Sequence, residues 1–315
     1  MNHSDHWSDY WSRGSLTSLP QDFAANYDGE VAGFWQQVFR GVPEQGRIID
    51  LCTGNGAIAL LAAEYARKVS PGLEITAVDA ATISPESIAQ KYPGQAELLQ
   101  RIRFIGNCRV EEMNLPPAGF DLVTSQYGIE YCDWTQAAAQ VERVLRPGGR
   151  LVLVSHTATS DIMKFMAQEQ REYAQLERLG FFRTIKGFLD NGIDFERFRK
   201  TLATTQATLA RELGASDSPL FRSVLGMLGG VLNMNEPALD KSRTHLQAYY
   251  AQTRHGYDRL KDMLRVNQAI QSQPHWYRVF ESAGLKLTNS GEIQYRGRHH
   301  AGDFYSFEKP VQSGT

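Results

Sequence analysis

The segment Arg47-Ile48-Ile49-Asp50-Leu51-Cys52-Thr53-Gly54-Asn55-Gly56-Ala57-Ile58-Ala59 restricts the fold more than any other stretch of this chain. An apolar run suited to a buried parallel strand ends in an acid, and a glycine-rich turn then opens a helix over Ala57 to Ala66. Glycines at 54 and 56 let a ligand press against bare backbone, and the N–H groups at the helix start favour electron-rich atoms. Strand, turn and helix in this order make a nucleotide-binding corner.

Two nucleotides compete for such a corner, because Gly54-x-Gly56-x-x-Ala59 satisfies the loose dinucleotide fingerprint with alanine in third place. Asp50 at the strand end separates them. It repels a pyrophosphate and attracts the ammonium group of an amino-acid-bearing cofactor, directly or through water. This favours S-adenosylmethionine over NAD. Downstream, Leu73-Glu74-Ile75-Thr76-Ala77-Val78-Asp79 reads as a second strand whose terminal acid can accept from both ribose hydroxyls. Phe120-Asp121-Leu122-Val123-Thr124-Ser125 reads as a further strand, and Val141 to Val154 as helix end, Pro-Gly-Gly turn and strand. Taken together, these segments resemble a class I S-adenosylmethionine-dependent methyltransferase.

The resemblance runs through residues 45 to 156, with a return near the C-terminus. It implies an α/β, Rossmann-like, seven-stranded and mostly parallel sheet with helices on both faces and an antiparallel last strand. It implies S-adenosyl-L-methionine as donor and S-adenosyl-L-homocysteine as product. By position, Asp50, Gly54 and Gly56 would hold the methionine end, with Cys52 and Thr53 in the same turn, Asp79 the ribose, and Ala80 the adenine edge. Cys52 stands where the family often has its first glycine, and a small thiol should fit there. For the contact near the adenine amino group, counting from the strand Ile102-Arg103-Phe104-Ile105 gives Cys108 and Arg109, whereas counting back from Leu115-Pro116 gives Glu111. Glu111 and Glu112 read equally well as the start of a solvated turn.

Composition fits a soluble enzyme: 315 residues with 42% hydrophobic content bury a substantial core. The first ten residues contain no apolar signal core, and no apolar run approaches a membrane span, so no membrane association is expected. The same absence of a signal core predicts a cytoplasmic location, and Cys52, Cys108 and Cys132, odd in number and without a Cys-x-x-Cys pair, are expected to be reduced. A net charge of −2 argues against a chain built to coat nucleic acid, though a local basic patch is compatible with it. Arg296-Gly297-Arg298-His299-His300 is the candidate patch, read either as a contact for an anionic substrate or as a solvated turn. No metal site is expected: there is no His-Glu-x-x-His, and adjacent His299 and His300 diverge on an extended segment. Neither a Gly-x-Ser-x-Gly elbow nor a phosphate-binding Gly-Lys-Ser/Thr loop appears, so hydrolase and NTPase readings are weak.

Residues 1–44 read as an N-terminal helical and aromatic cap, with His6-Trp7-Ser8-Asp9-Tyr10-Trp11 placed to cover a cofactor. Tyr27 is the candidate there for touching the cofactor carboxylate or the substrate. Phe34, Trp35, Val38 and Phe39 form an apolar stripe for packing onto the sheet. Residues 45–157 and 271–310 read as the core, closed by a helix within 273–284 and strands at 285–288 and 303–309. Between them, 158–270 reads as a helical insertion after the fifth strand. Phe195, Phe198, Leu202 and Leu209 share one helical face, and Leu246, Tyr249, Thr253, Tyr257, Leu260 and Leu264 another. The insertion is either a lid on the substrate pocket or an arm for a homodimer.

Methyl transfer asks mainly for alignment and exclusion of water, and for a base only when the acceptor must lose a proton. Substrate-facing candidates cluster after the fourth strand and at the end of the fifth. Ser125 is placed to hold cofactor and Gln126 to support cofactor or substrate. Tyr127 is placed to orient an acceptor, and Glu130 or His156 to take a proton. Glu130 also reads as a buried structural partner, and His156 as a satisfied strand-end residue. The expectation is a methyltransferase acting on a small-molecule acceptor. Its rivals are an RNA or protein methyltransferase, a noncatalytic cofactor-binding module, and a nicotinamide-dependent oxidoreductase.

Overall fold

In the computed structural model, residues 5–18, 25–157, 161–213, 218–297 and 299–311 are described. The chain divides into two compact units, one of residues 1–161 and 265–315 and the other of residues 162–264. No helix among the described residues is long and apolar enough to cross a membrane.

In the first unit, β1 (Arg47–Leu51), β2 (Glu74–Val78), β3 (Ile102–Ile105), β4 (Phe120–Gln126), β5 (Leu145–Ser155), β6 (Lys286–Tyr295) and β7 (His299–Glu308) form one sheet. Their order is β3-β2-β1-β4-β5-β7-β6, parallel throughout except that β7 runs antiparallel to both β5 and β6. The order reverses between β1 and β4. In open α/β sheets a reversal of this kind leaves a crevice beyond the carboxyl ends of the two strands.

The helices of the N-terminal part are α1 (Asp5–Ser12), α2 (Gly29–Arg40), α3 (Ala57–Val69), α4 (Pro85–Lys91), α5 (Ala96–Leu99) and α6 (Trp134–Val144). Alternate strand residues serve opposite faces. Ile48, Leu122, Val152 and Val154 pack with Val31, Trp35 and Phe39 of α2 and with the alanine- and leucine-rich α3. Ile49, Leu51, Val123, Leu151 and Leu153 pack with Ala137, Val141 and Val144 of α6. Burial on both faces explains why these strands read as continuous apolar runs. Each fully buried aromatic such as Trp35 or Phe39 stabilises the fold by about 1.5–3 kcal/mol. The start of α6 is fixed by Asp133, whose carboxylate accepts from the N–H of Gln136 at 2.9 Å.

The second unit is helical: α7 (Asp161–Arg178), α8 (Phe181–Leu189), α9 (Phe195–Leu213), α10 (Pro219–Leu232), α11 (Glu236–Lys241) and α12 (Arg243–Ser272), of which residues up to Leu264 belong to it. Phe198, Leu202 and Leu209 of α9 and Leu246, Tyr257, Leu260 and Leu264 of α12 share its core. Stacked rings reinforce it, Phe188 on Phe198 at 4.2 Å and Tyr173 on Tyr257 at 4.7 Å. Ser218 caps α10 ahead of Pro219, and its hydroxyl also meets the buried Glu172 carboxylate at 2.8 Å.

The chain returns to the sheet through α13 (Val279–Ser282), ended by Gly284 at φ 103°. The last two strands are longer than the sequence indicates, running to Tyr295 and starting at His299, because their half-exposed pattern contains no apolar run to mark them. Their turn has Arg296 and Gly297 at φ 52° and 62°. The basic segment named in the sequence is therefore this turn and the first residues of β7; Arg298 lies outside the described residues. Ile293 pairs with Gly302 and Gln294 with His300, so Ala301 is an extra residue that bulges from β7.

Candidate active site

The site grows from the turn between β1 and α3, at the point where the sheet order reverses. Cys52, Gly54 and Gly56 have left-handed φ angles of 55°, 55° and 91°. The N–H of Thr53 donates to the Val78 carbonyl at 3.0 Å and that of Gly56 to the Thr53 carbonyl at 2.9 Å, tying the turn to β2 and to α3. A Cβ at Gly54 would lie 2.5 Å from the Trp11 ring and one at Gly56 would lie 2.8 Å from Phe104, so neither position has room for a side chain. Cys52 carries a side chain in a conformation that costs roughly 1–2 kcal/mol. Space for it comes from Gly128, where a Cβ would sit 2.3 Å from that of Cys52. Its Sγ is 3.7 Å from Cys132 Sγ. That hydrogen bond, and then burial, hold the Cys52 thiol well above its usual pKa, which keeps it protonated and unreactive.

Two buried acids frame the turn. Asp79, just past β2, accepts from the N–H of Gly54 at 2.7 Å and of Ala81 at 2.8 Å, one on each oxygen. Each oxygen keeps a second lone pair, which leaves room for a pair of ribose hydroxyls. Asp50 lies beneath the loop, its oxygens accepting from the hydroxyls of Thr53 at 2.5 Å and Thr124 at 2.8 Å. Burial pushes the carboxyl of Asp50 up to about 7 and that of Asp79 to about 6. A cationic, hydroxyl-bearing ligand reverses that penalty in both cases.

The N-terminal segment crosses this loop. The Asn55 amide donates to the Trp11 and Ser15 carbonyls, each at 2.8 Å, while its oxygen accepts from the N–H of Ser84 at 2.9 Å. Ser8 Oγ accepts from the N–H of Thr82 at 3.0 Å. Trp7 stacks on Trp11 at 6.2 Å and meets the edge of Tyr131 at 5.8 Å. Asn55 escapes a reading of the sequence because it sits inside the glycine turn, where it looks like a spacer.

On the other side of the crevice, the end of β4 and the turn Ile129–Tyr131 meet the end of β5. Glu130 is buried, and its Oε1 accepts from the backbone N–H of His156 at 3.0 Å and lies 2.8 Å from His156 Nδ1. This pairing fixes the orientation of the His156 ring, with Nδ1 turned to the carboxylate. Among the described residues, Glu130 Oε2 is buried with no hydrogen-bond partner. The His156 ring lies 4.8 Å from Tyr127 and 6.0 Å from Tyr131. Tyr127, at φ 53°, gives its hydroxyl proton to the Ala301 carbonyl, so what it offers the crevice is a ring. Gln126 Oε1 accepts from Trp35 Nε1 at 2.6 Å, and the Gln126 side chain also meets the Tyr27 hydroxyl.

Residues 49–153, the span from β1 through the main part of β5, match the family described as Methyltransferase domain. This stretch of the chain therefore carries a methyltransferase domain. The domain is 35% identical over 109 residues to a demethylmenaquinone methyltransferase of Thermus thermophilus, covering 34% of this chain and 46% of that one. Over 143 residues it is 30% identical to a ubiquinone/menaquinone biosynthesis C-methyltransferase of Geobacter sulfurreducens, with 45% and 50% covered. A malonyl-[acyl-carrier protein] O-methyltransferase of Enterobacter lignolyticus is 28% identical over 202 residues, with 64% and 72% covered. The chain spans about half the length of the first two relatives.

Other residues named from the sequence are distributed as follows around the methyltransferase crevice. Ala80 is exposed beside Asp79, and the N–H of Cys108 donates to the Asp79 carbonyl at 2.9 Å. Arg109 is exposed and pairs with Glu111 at 3.2 Å. The Glu111 carboxylate also accepts from the N–H of Asp133 at 2.9 Å, which directs it to the start of α6. Ser125 gives its hydroxyl to the Leu51 carbonyl at 2.9 Å and accepts from the N–H of Ile129 at 3.1 Å, bracing β4 against β1. Tyr27 is buried with its ring 6.4 Å from that of Tyr127, and burial pushes its hydroxyl up to about 12.

Proposed function

We propose that this chain transfers a methyl group from S-adenosylmethionine to a small-molecule acceptor that gives up a proton, with His156 as base and Glu130 as the residue that orients it. The observation that carries this reading is the 2.8 Å pair of buried Glu130 with half-buried His156, at the ends of β4 and β5. The bound cofactor supplies an activated methyl group, so the chain's tasks are to hold it, align the acceptor and exclude water. Gly54, Gly56 and Asp79 hold the cofactor, with Cys52 and Thr53 shaping the turn and Asp50 setting its charge. Cys108 and Ala80 border the adenine, since the Glu111 carboxylate is engaged elsewhere. Gln126 and Tyr27, joined through their side chains, face the join between cofactor and acceptor. Tyr127 and Tyr131 flank His156, which suits a flat or apolar acceptor. Both C- and O-methyltransferases stand among the relatives, so the domain match leaves the acceptor atom to these side chains.

The helical block at 158–270 follows β5 in the chain, and a lid is the role read for it. A monomer in sedimentation fits that role; a dimer lost on altering this block would favour the arm. The three free thiols suit a cytoplasmic setting.

The direct test uses methyl-labelled S-adenosylmethionine with small-molecule, RNA and protein fractions of a cell extract. Label in the small-molecule fraction, lost in His156→Phe while S-adenosylhomocysteine affinity is kept, is the expected result. Label in RNA or protein would overturn the acceptor class, and no transfer into any fraction would favour a noncatalytic module.

A further inference from the structure

The bulge in β7 gathers three side chains that methyl transfer does not use. Glu292 and Asp303 are direct cross-strand partners, and the extra residue Ala301 lets His300 swing to the same place. His300 Nε2 lies 2.8 Å from Asp303 Oδ1. Single donor atoms of Glu292, His300 and Asp303 all fall within 4.8 Å of one another. His300 and Asp303 are half-buried and Glu292 is exposed, so the cluster opens to solvent along one edge.

We propose that Glu292, His300 and Asp303 form a binding site for one divalent transition-metal ion of the zinc type. Two donors on one ion at about 2.0–2.2 Å sit roughly 3 Å apart, so the His300–Asp303 spacing already matches a shared ligand shell. One imidazole and two carboxylates are a mixed nitrogen and oxygen set, which favours zinc, cobalt or nickel over magnesium or calcium. Two carboxylates facing each other across a strand pair repel, and a dication between them removes that repulsion. Burial, together with the nearby charge of Glu292, raises the Asp303 carboxyl above its usual range, while His300 opposes this. The open edge leaves room for water to complete the coordination.

An ion here would stiffen the bulge at Ala301, whose carbonyl takes the Tyr127 hydroxyl proton. The metal is thus a structural clip on the hairpin, next to a residue of the acceptor side but outside its chemistry. The proposal does not depend on which acceptor is methylated.

The test strips the full chain with chelator and titrates it with Co²⁺ followed by optical spectroscopy, then with Zn²⁺ by calorimetry. The expected result is one saturable equivalent, visible d–d bands and no thiolate charge-transfer band. His300→Gln and Glu292→Gln should each weaken binding at least about tenfold, and Zn²⁺ should raise the Tm of the unaltered chain but not of the variants. Glu292 is exposed, so its variant keeps the test valid if His300→Gln fails to fold. Absence of a saturable site, a thiolate band pointing to the cysteines, or undiminished affinity in a folded variant would each overturn the proposal.

Discussion

The two sides of the crevice are built by different means. The proposed donor side is mainly backbone: left-handed residues at 52, 54 and 56, with main-chain N–H groups of Gly54 and Ala81 on Asp79. The proposed acceptor side is mainly side chain: Glu130, His156, Tyr127 and Tyr131, drawn from the ends of β4 and β5 and braced by the β7 bulge. Backbone geometry commits a site to one ligand, whereas side chains can be exchanged without disturbing the sheet. The donor side should therefore tolerate few substitutions, and the acceptor side should change specificity while the fold persists.

The sharpest separation of the two sides comes from His156→Phe. It should lower kcat by about 10²–10⁴-fold while leaving S-adenosylhomocysteine affinity within about twofold. Equal losses in both would mean that the two sides are not independent. Asp79→Asn should do the reverse, weakening S-adenosylhomocysteine by about 100-fold in calorimetry through loss of a charge-assisted acceptor. Gly128→Ala probes the junction. Its new methyl would meet Cys52 Cβ at 2.3 Å, so destabilisation of about 1–3 kcal/mol is expected in denaturant unfolding.

The smallest effect is on pH dependence. Burial raises the folded-state pKa of Asp50 to about 7 and of Asp79 to about 6, both above the ordinary 3.8. For a raised pKa, the stabilising contribution is complete below the unfolded value and is lost as pH rises through the folded one. The free protein should therefore lose stability between about pH 4 and 7, and Asp50→Asn should flatten the profile of Tm against pH. Ligand binding favours the ionised acids, so S-adenosylhomocysteine affinity should rise roughly tenfold from pH 5.5 to 7.5, with protons released. Affinity independent of pH would remove both acids from the donor side.

How far the sequence could be read follows the same division. Strand β1, its glycine turn and α3 were legible because they obey local rules of burial, conformation and helix termini. The sheet with its antiparallel β7 followed from the family resemblance that the motifs carry. Contacts between distant segments were not legible. Nothing near Asn55 signals that its amide meets Trp11 and Ser15, and nothing near Glu111 signals that it faces the N–H of Asp133. Counting residues gave two registers after β3, because a 3-10 turn at Val110–Glu112 has neither strand nor helix period. The meeting of Glu292, His300 and Asp303 depends on one bulged residue, which no spacing rule contains.

The fit between Cys52 and Gly128 has a consequence for how this sequence can change. The φ of Gly128 is −142°, outside the left-handed region, and the position is held small by the Cβ and carbonyl of Cys52. The two sites are therefore one unit of variation, separated by 76 positions in the chain and joined in space. A descendant that trades Cys52 for glycine relieves the tightest contact at position 128, whereas one that acquires the methyl first passes through a destabilised intermediate. The order of mutation, and not only their identity, decides which neighbours of this sequence can be reached.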